Sequence, residues 1–208
     1  MKTLQVGLAA LIAAAVYAPA ASAATYTTTC PGNGLSSRVF SITINEIGAS
    51  CLDFGEGNIN GNPNGANPDP FLTGPDGTDY VLVDKSDNSS GFMDGALGGD
   101  LSGGLSGQFT IDPAVYTNLK NIAIAFKSGG VNSGEPDWAV FLLPAGTLGG
   151  NWTITGAQQG LSHGQLYGQI CADDDQGCTP PDTSVPEPVT LALLGLGLAG
   201  AAFARRRQ

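Results

Sequence analysis

Apolar side chains in the middle of this 208-residue chain recur with a period of two, and no such run lasts long. From Arg38 to Asn45, Phe40, Ile42 and Ile44 fall on one face while Val39, Ser41, Thr43 and Asn45 fall on the other. That is the spacing of a half-buried β-strand. Further short runs follow at Tyr80 to Asp84, Gln108 to Asp112, Asn121 to Lys127, Trp138 to Leu143, Trp152 to Thr155 and Gln165 to Cys171, each bounded by Gly, Pro, Asn or Asp. About seven strands with such turns predict an all-β ectodomain, an antiparallel β-sandwich or jelly-roll-like fold. Ile122, Ile124 and Phe126 are expected to point into its core. The run from Trp138 to Leu143 is apolar on both faces and reads as a central strand. One short helix is expected near Pro113 to Leu119, with Asp112 as N-cap and Pro113 at the first helical position.

Long turns interrupt this pattern. The stretch from Asp53 to Asp79 is rich in Gly, Asn, Pro and Asp and reads as one long loop, a surface decoration rather than an active-site lid. Leu97, Leu101 and Leu105 stand four apart, but no unit of repeat length recurs.

Charge and titratable groups narrow the function. The span from Ala24 to Ser184, about 160 residues, suffices for one domain with a real core. Its bases are Arg38, Lys85, Lys120 and Lys127; against them stand seventeen acids, leaving a formal charge of −13. No nucleic-acid partner is therefore expected. His163 is the sole histidine, and in Leu161-Ser162-His163-Gly164 it reads as a hydrogen-bonding turn residue before the last strand rather than a base. No G-x-S-x-G nucleophile turn occurs, and nothing selects a pair of carboxylates for glycoside hydrolysis, so no catalytic residue is assigned and the chain reads as a non-enzyme. Trp138 and Trp152 could stack on sugars, but each sits in an apolar or alternating strand and is expected in the core. Asp173-Asp174-Asp175, or Asp84 with Asp87 and Asn88, offer hard oxygens, yet neither completes an EF-hand loop, so no metal and no cofactor is expected.

The four cysteines, Cys30, Cys51, Cys171 and Cys178, read as two disulfides in an exported chain; with no C-x-x-C pair, zinc is the weaker use. Three pairings are possible. Cys30 with Cys51 and Cys171 with Cys178 is preferred because each pair is local.

Both ends of the chain are apolar, in different ways. Lys2, the uncharged run from Val6 to Val16 and the small residues Ala21-Ser22-Ala23 form a secretory signal peptide over residues 1–23, cleaved between Ala23 and Ala24. Residues 185–208 run Val185-Pro186-Glu187-Pro188, then an uncharged stretch from Val189 to Ala204, then Arg205-Arg206-Arg207. The prolines keep the first part extended and out of any helix or sheet. The apolar stretch would form a single transmembrane helix about 24 Å long, short of a hydrocarbon core of about 30 Å unless the arginines snorkel. Those three arginines hold the end in the cytoplasm. Within the stretch, Gly195-Leu196-Gly197-Leu198-Ala199-Gly200 matches G-x-G-x-x-G, but only eight residues follow, too few for a dinucleotide-binding unit.

The order proline-acid-proline, short apolar helix and basic end resembles the PEP-CTERM sorting signal. The resemblance implies that an exosortase of a Gram-negative, exopolysaccharide-producing bacterium recognises this tail while it sits in the inner membrane, and cuts near Pro186-Glu187-Pro188. The body would then reach the cell surface or extracellular matrix, where a structural role is expected and binding to exopolysaccharide is the alternative. Pro136 to Phe141, the segment around Trp152 and Leu161 to Gly168 also resemble exported proteins of that kind, which speaks to location and not to chemistry.

Overall fold

The computed structural model describes residues 24–32, 36–87, 91–129 and 134–171. In chain order these form β1 (Tyr26–Cys30), β2 (Val39–Ile44), β3 (Ser50–Gly55), α1 (Pro70–Thr73), β4 (Val81–Lys85), β5 (Leu97–Gly99), β6 (Ser106–Ile111), α2 (Val115–Asn118), β7 (Leu119–Ser128), β8 (Trp138–Leu142), β9 (Gly149–Thr155) and β10 (Leu161–Ile170). All strands pair antiparallel in two five-stranded sheets: β1-β2-β9-β6-β5, called sheet A, and β3-β8-β7-β10-β4, called sheet B. The signal peptide (1–23) and the sorting segment (185–208) lie outside the described residues, and no described helix is long and apolar enough to cross a membrane.

The inner faces meet in one apolar layer. Phe40, Ile42 and Ile44 from β2, Phe109 from β6, and Trp152 and Ile154 from β9 share it with Ile122, Ile124 and Phe126 from β7 and Phe141 from β8. Phe126 is its hub: its ring centroid lies 5.8 Å from Trp152, 6.1 Å from Phe141 and 6.2 Å from Phe109, so it touches aromatics of both sheets. Each such ring contributes hydrophobic burial of roughly 2–3 kcal/mol before chain entropy is counted. The expected bridge is present: Cys30 and Cys51 form a disulfide with Cα atoms 5.1 Å apart. It joins β1, an edge of sheet A, to β3, an edge of sheet B. Cys171 follows β10, and its expected partner Cys178 lies outside the described residues.

Ten strands form where seven were read. The additional three, β1, β3 and β5, are all edge strands. The predicted helix is shorter than expected and starts later: α2 begins at Val115, and the Asp112 carboxylate accepts from the Ala114 amide at 2.8 Å instead of standing at the N-cap.

A larger correction concerns the loop between β3 and β4. It is a cover. Sheet B is largely apolar on its outer face as well, and Ala123, Ala125, Trp138, Val140 and Tyr167 there are buried beneath Ile59, Phe71, Leu72 and Tyr80 from the loop. This is why β8 is apolar on both sides. The loop is fastened by Asp69, which is fully buried. Its Oδ2 accepts from the amides of Asn60 (2.8 Å) and Gly61 (2.7 Å) and from the Tyr167 hydroxyl (2.9 Å); its Oδ1 caps α1 by accepting from Phe71 (3.0 Å) and Leu72 (3.3 Å). A carboxylate surrounded by donors recovers the hydration it loses on burial. Burial, followed by the neighbouring Asp69 charge, raises the Tyr167 hydroxyl well above its ordinary pKa, so it stays protonated as a donor. Gly61 adopts a φ of 78°, and a side chain there would run into Leu82 of β4.

Asp69→Ala strands five donors under an apolar cover, and is expected to cost about 3–5 kcal/mol in urea unfolding. Limited proteolysis should then cut first between residues 56 and 80. Tyr167→Phe, which removes one donor, should cost about 1–3 kcal/mol without opening the loop.

Candidate functional site

Three polar assemblies on the described domain could carry function. The first is a clamp at one end of the sandwich. Arg38, just before β2, is 1% exposed, and its guanidinium donates to Asp137 Oδ1 at 2.8 Å and to the Pro136 carbonyl at 3.0 Å. Glu135 accepts from the hydroxyls of Ser36 and Ser37 and from the Arg38 amide. The same segment reaches the start of the covering loop, for Asp137 Oδ2 accepts from the Gly57 amide and Glu56 Oε1 accepts from the Gly134 amide. The clamp ties three chain segments together and leaves its carboxylates engaged.

The second lies on sheet B beneath the covering loop. His163 is not in a turn: it stands inside β10, opposite Lys127, at a break in register, and is 4% exposed. Its Nε2 lies 3.1 Å from the Ile59 carbonyl, which can only accept, so the ring carries its proton there. Nδ1 then accepts from Ser162 Oγ at 3.3 Å and lies 3.6 Å from Asp87, which also pairs with Lys85 at 3.2 Å. Burial, with the charge of Lys85 added, lowers the His163 pKa and keeps the ring neutral. Burial likewise lowers the Lys127 pKa, against the opposing pull of Asp137. Here the histidine holds the loop to the sheet.

The calcium candidates come apart. Asp84 is buried, and its two oxygens accept from the Lys85 amide (2.7 Å) and the Leu97 amide (2.8 Å), fixing the start of β5. Asn88 and Asp173 to Asp175 lie outside the described residues, and among the described residues no three His, Cys, Asp or Glu side chains gather as a metal site would need. Both tryptophans are in the core as expected, 3% and 1% exposed, with their indole N–H groups donating to the carbonyls of Glu56 and Asp100. Neither can serve as a sugar platform.

The third assembly is the outer face of sheet A, which sequence reading did not single out. Strand register aligns Thr27, Thr43, Asn151 and Gln108 in one row across β1, β2, β9 and β6, and Thr29, Ser41, Thr153 and Ser106 in the next. Thr27 and Thr43 are joined hydroxyl to hydroxyl at 2.8 Å. A shallow groove of about 270 Å³ lies over this face, lined by Thr43, Gln108, Thr110 and Asn151 among others. The five strands of sheet A contain no Asp, Glu, Lys or Arg, whereas sheet B carries Asp53, Asp84, Lys85, Lys120 and Lys127. In so acidic a protein, one whole sheet is electrically neutral.

The sorting residues predicted from sequence are in the tail. A family model of the PEP-CTERM protein-sorting motif matches residues 184–208, which contain Val185, Pro186, Glu187, Pro188, Arg205, Arg206 and Arg207. The chain is a PEP-CTERM domain-containing protein. A PEP-CTERM motif marks an exported protein that passes through a membrane-anchored intermediate and is sorted by an exosortase. Comparison with curated proteins and with solved structures gives no match.

The clamp makes stability depend on acid. Hydrogen bonds from Ser36, Ser37 and Arg38 hold the Glu135 carboxyl down to about 2 from an ordinary 4.5. A carboxyl with a depressed folded pKa contributes fully above 4.5 and loses that contribution as pH falls toward 2. The urea midpoint of the wild type should therefore fall through that window. In Glu135→Gln it should start lower and fall less steeply, as equilibrium unfolding at a series of pH values would read.

Proposed function

We propose that this PEP-CTERM protein is a structural component of the cell surface or extracellular matrix, and not an enzyme. The observation that carries the reading is the sorting motif over residues 184–208, which marks the chain as a substrate of another enzyme's chemistry. Processing near Pro186-Glu187-Pro188 would free the body from the inner membrane. The domain's own polar chemistry supports a mechanical role: Asp69, His163, Arg38 and Glu135 are engaged in holding loops to sheets. Groups so committed stabilise a shape, and a matrix component needs a shape that endures outside the cell.

A second reading, exopolysaccharide binding, is favoured by one feature. The outer face of sheet A presents rows of hydroxyl and amide groups without charge, which can hydrogen-bond a polyhydroxylated chain without the repulsion an acidic surface would impose on an acidic glycan.

Intact mass and C-terminal peptide analysis of the protein from its native host tests the first reading. Arg205 to Gln208 should be absent in the wild-type strain and retained in a strain lacking the sorting enzyme; retention in both contradicts processing. On immobilised polysaccharide from the same host, the structural reading expects no retention of the purified protein. Retention lost in Gln108→Ala/Asn151→Ala would replace it with the second.

A further inference from the structure

An antiparallel sandwich has four edge strands, each a row of backbone donors and acceptors able to pair with another chain, and natural proteins blunt such edges. Three of the four are blunted here. β5 has three residues, two of them glycine. β4 has backbone acceptors taken on its far side, where the amides of Phe92 and Met93 donate to the carbonyls of Leu82 (3.1 Å) and Val83 (2.9 Å). β3 is broken in register between Cys51 and Asp53 and carries the Asp53 charge. β1 has none of these devices: Tyr26-Thr27-Thr28-Thr29-Cys30 is regular, uncharged, free of proline and β-branched at three successive positions. Among the described residues it pairs with β2 alone.

We propose that β1 is a self-association edge, pairing antiparallel with β1 of a second copy about a two-fold axis at Thr28. Joined in this way, two copies of sheet A form one continuous ten-stranded sheet. Thr27 and Thr29, which share the outer face with Thr43 and Ser41, then stand opposite Thr29 and Thr27 of the other copy and extend the existing hydroxyl rows across the junction. Cross-strand threonine pairs of this kind are favourable. On the other side of the strand the Tyr26 ring, 37% exposed in the single copy, gains cover. Charge selects the occupant. Two copies of so acidic a protein repel through most of their surface, and sheet A, with no charged residue in its strands, is where they can meet without like charges opposed. The bridge from Cys30 to Cys51 on the neighbouring sheet keeps β1 in place. The inference rests on the sandwich alone and holds or fails independently of where the protein is delivered.

The full chain in detergent micelles, with its disulfides intact, should show a concentration-dependent dimer in sedimentation equilibrium. Thr27→Lys/Thr29→Lys places lysine opposite lysine across the axis and should weaken that dimer about tenfold, whereas Thr110→Lys, exposed on the same face in β6, should leave it unchanged. The direction is diagnostic: added lysines would tighten any association governed by the net negative charge and would not touch one driven by the tail. Hydrogen exchange reads the same event without mutation, since amides of residues 26–30 should gain protection as concentration rises while those of β5 do not. A chain that stays monomeric at every concentration, a double variant that dimerises as well as the wild type or better, or β1 amides already protected in the dilute monomer by a segment of their own chain would overturn the proposal.

Discussion

Two antiparallel sheets stay face to face because one apolar layer and one covalent bridge both cross the gap between them. The layer gathers around Phe126, whose ring meets Phe109 and Trp152 from the opposing sheet. Rings packed in this way resist sliding, and the alternation of β2, β6 and β9 follows from them: Phe40, Ile42, Ile44, Phe109, Ile111, Trp152 and Ile154 are buried, and the outward side chains are polar apart from Val39. At one side of the sandwich, Cys30 to Cys51 ties edge to edge. A bridge closing about twenty residues stabilises by roughly 3 kcal/mol, much of the margin of a domain of this size. Such a bond persists only in an oxidising compartment, so the covalent part of the fold and the sorting motif point to the same destination.

Sheet B solves a different problem. Apolar on both faces, it needs a second cover, and a loop made mostly of Gly, Asn and Pro supplies one. Such a loop has little intrinsic order, so its placement depends on a few strong polar contacts: Asp69 beneath it, His163 reaching Ile59, and the Glu135 and Asp137 clamp at its start. The result is an exported acidic domain whose charged strands lie in one sheet and whose other sheet is neutral. That division explains how a domain of formal charge −13 over residues 24–184 can still present a contact surface.

The core strands were legible in the sequence because burial on one face imposes a period of two, as at Phe40, Ile42 and Ile44. Three of the four edge strands were not, for one physical reason: an edge buries less, so β1 is a run of threonines, β5 is mostly glycine and the alternation of β3 is broken by an irregularity in pairing. Periodicity conceals the covering loop because Ile59, Phe71 and Leu72 are scattered among turn formers with no period at all. Two signals were nevertheless present. The double apolar face of Trp138 to Leu143 demanded a cover, and Asp69-Pro70 before Phe71-Leu72 is a helix-start pattern, with its N-cap acid and first-position proline. Local pattern places His163 in a turn, but its partner is 104 residues away, a distance no local pattern encodes. The sorting motif in the tail was legible because it acts as a linear signal, read by order and composition rather than by shape.

Export followed by oxidation of the folded sandwich is the claim on which both the location and the architecture rest. Alkylating thiols in living cells before lysis, then mapping the cysteines by mass spectrometry under non-reducing conditions, tests it directly. Cys30 and Cys51 should be recovered as one unalkylated, disulfide-linked peptide pair in the wild type, and as alkylated thiols when residues 1–23 are deleted. Recovery of both as alkylated thiols in the wild type would contradict the account.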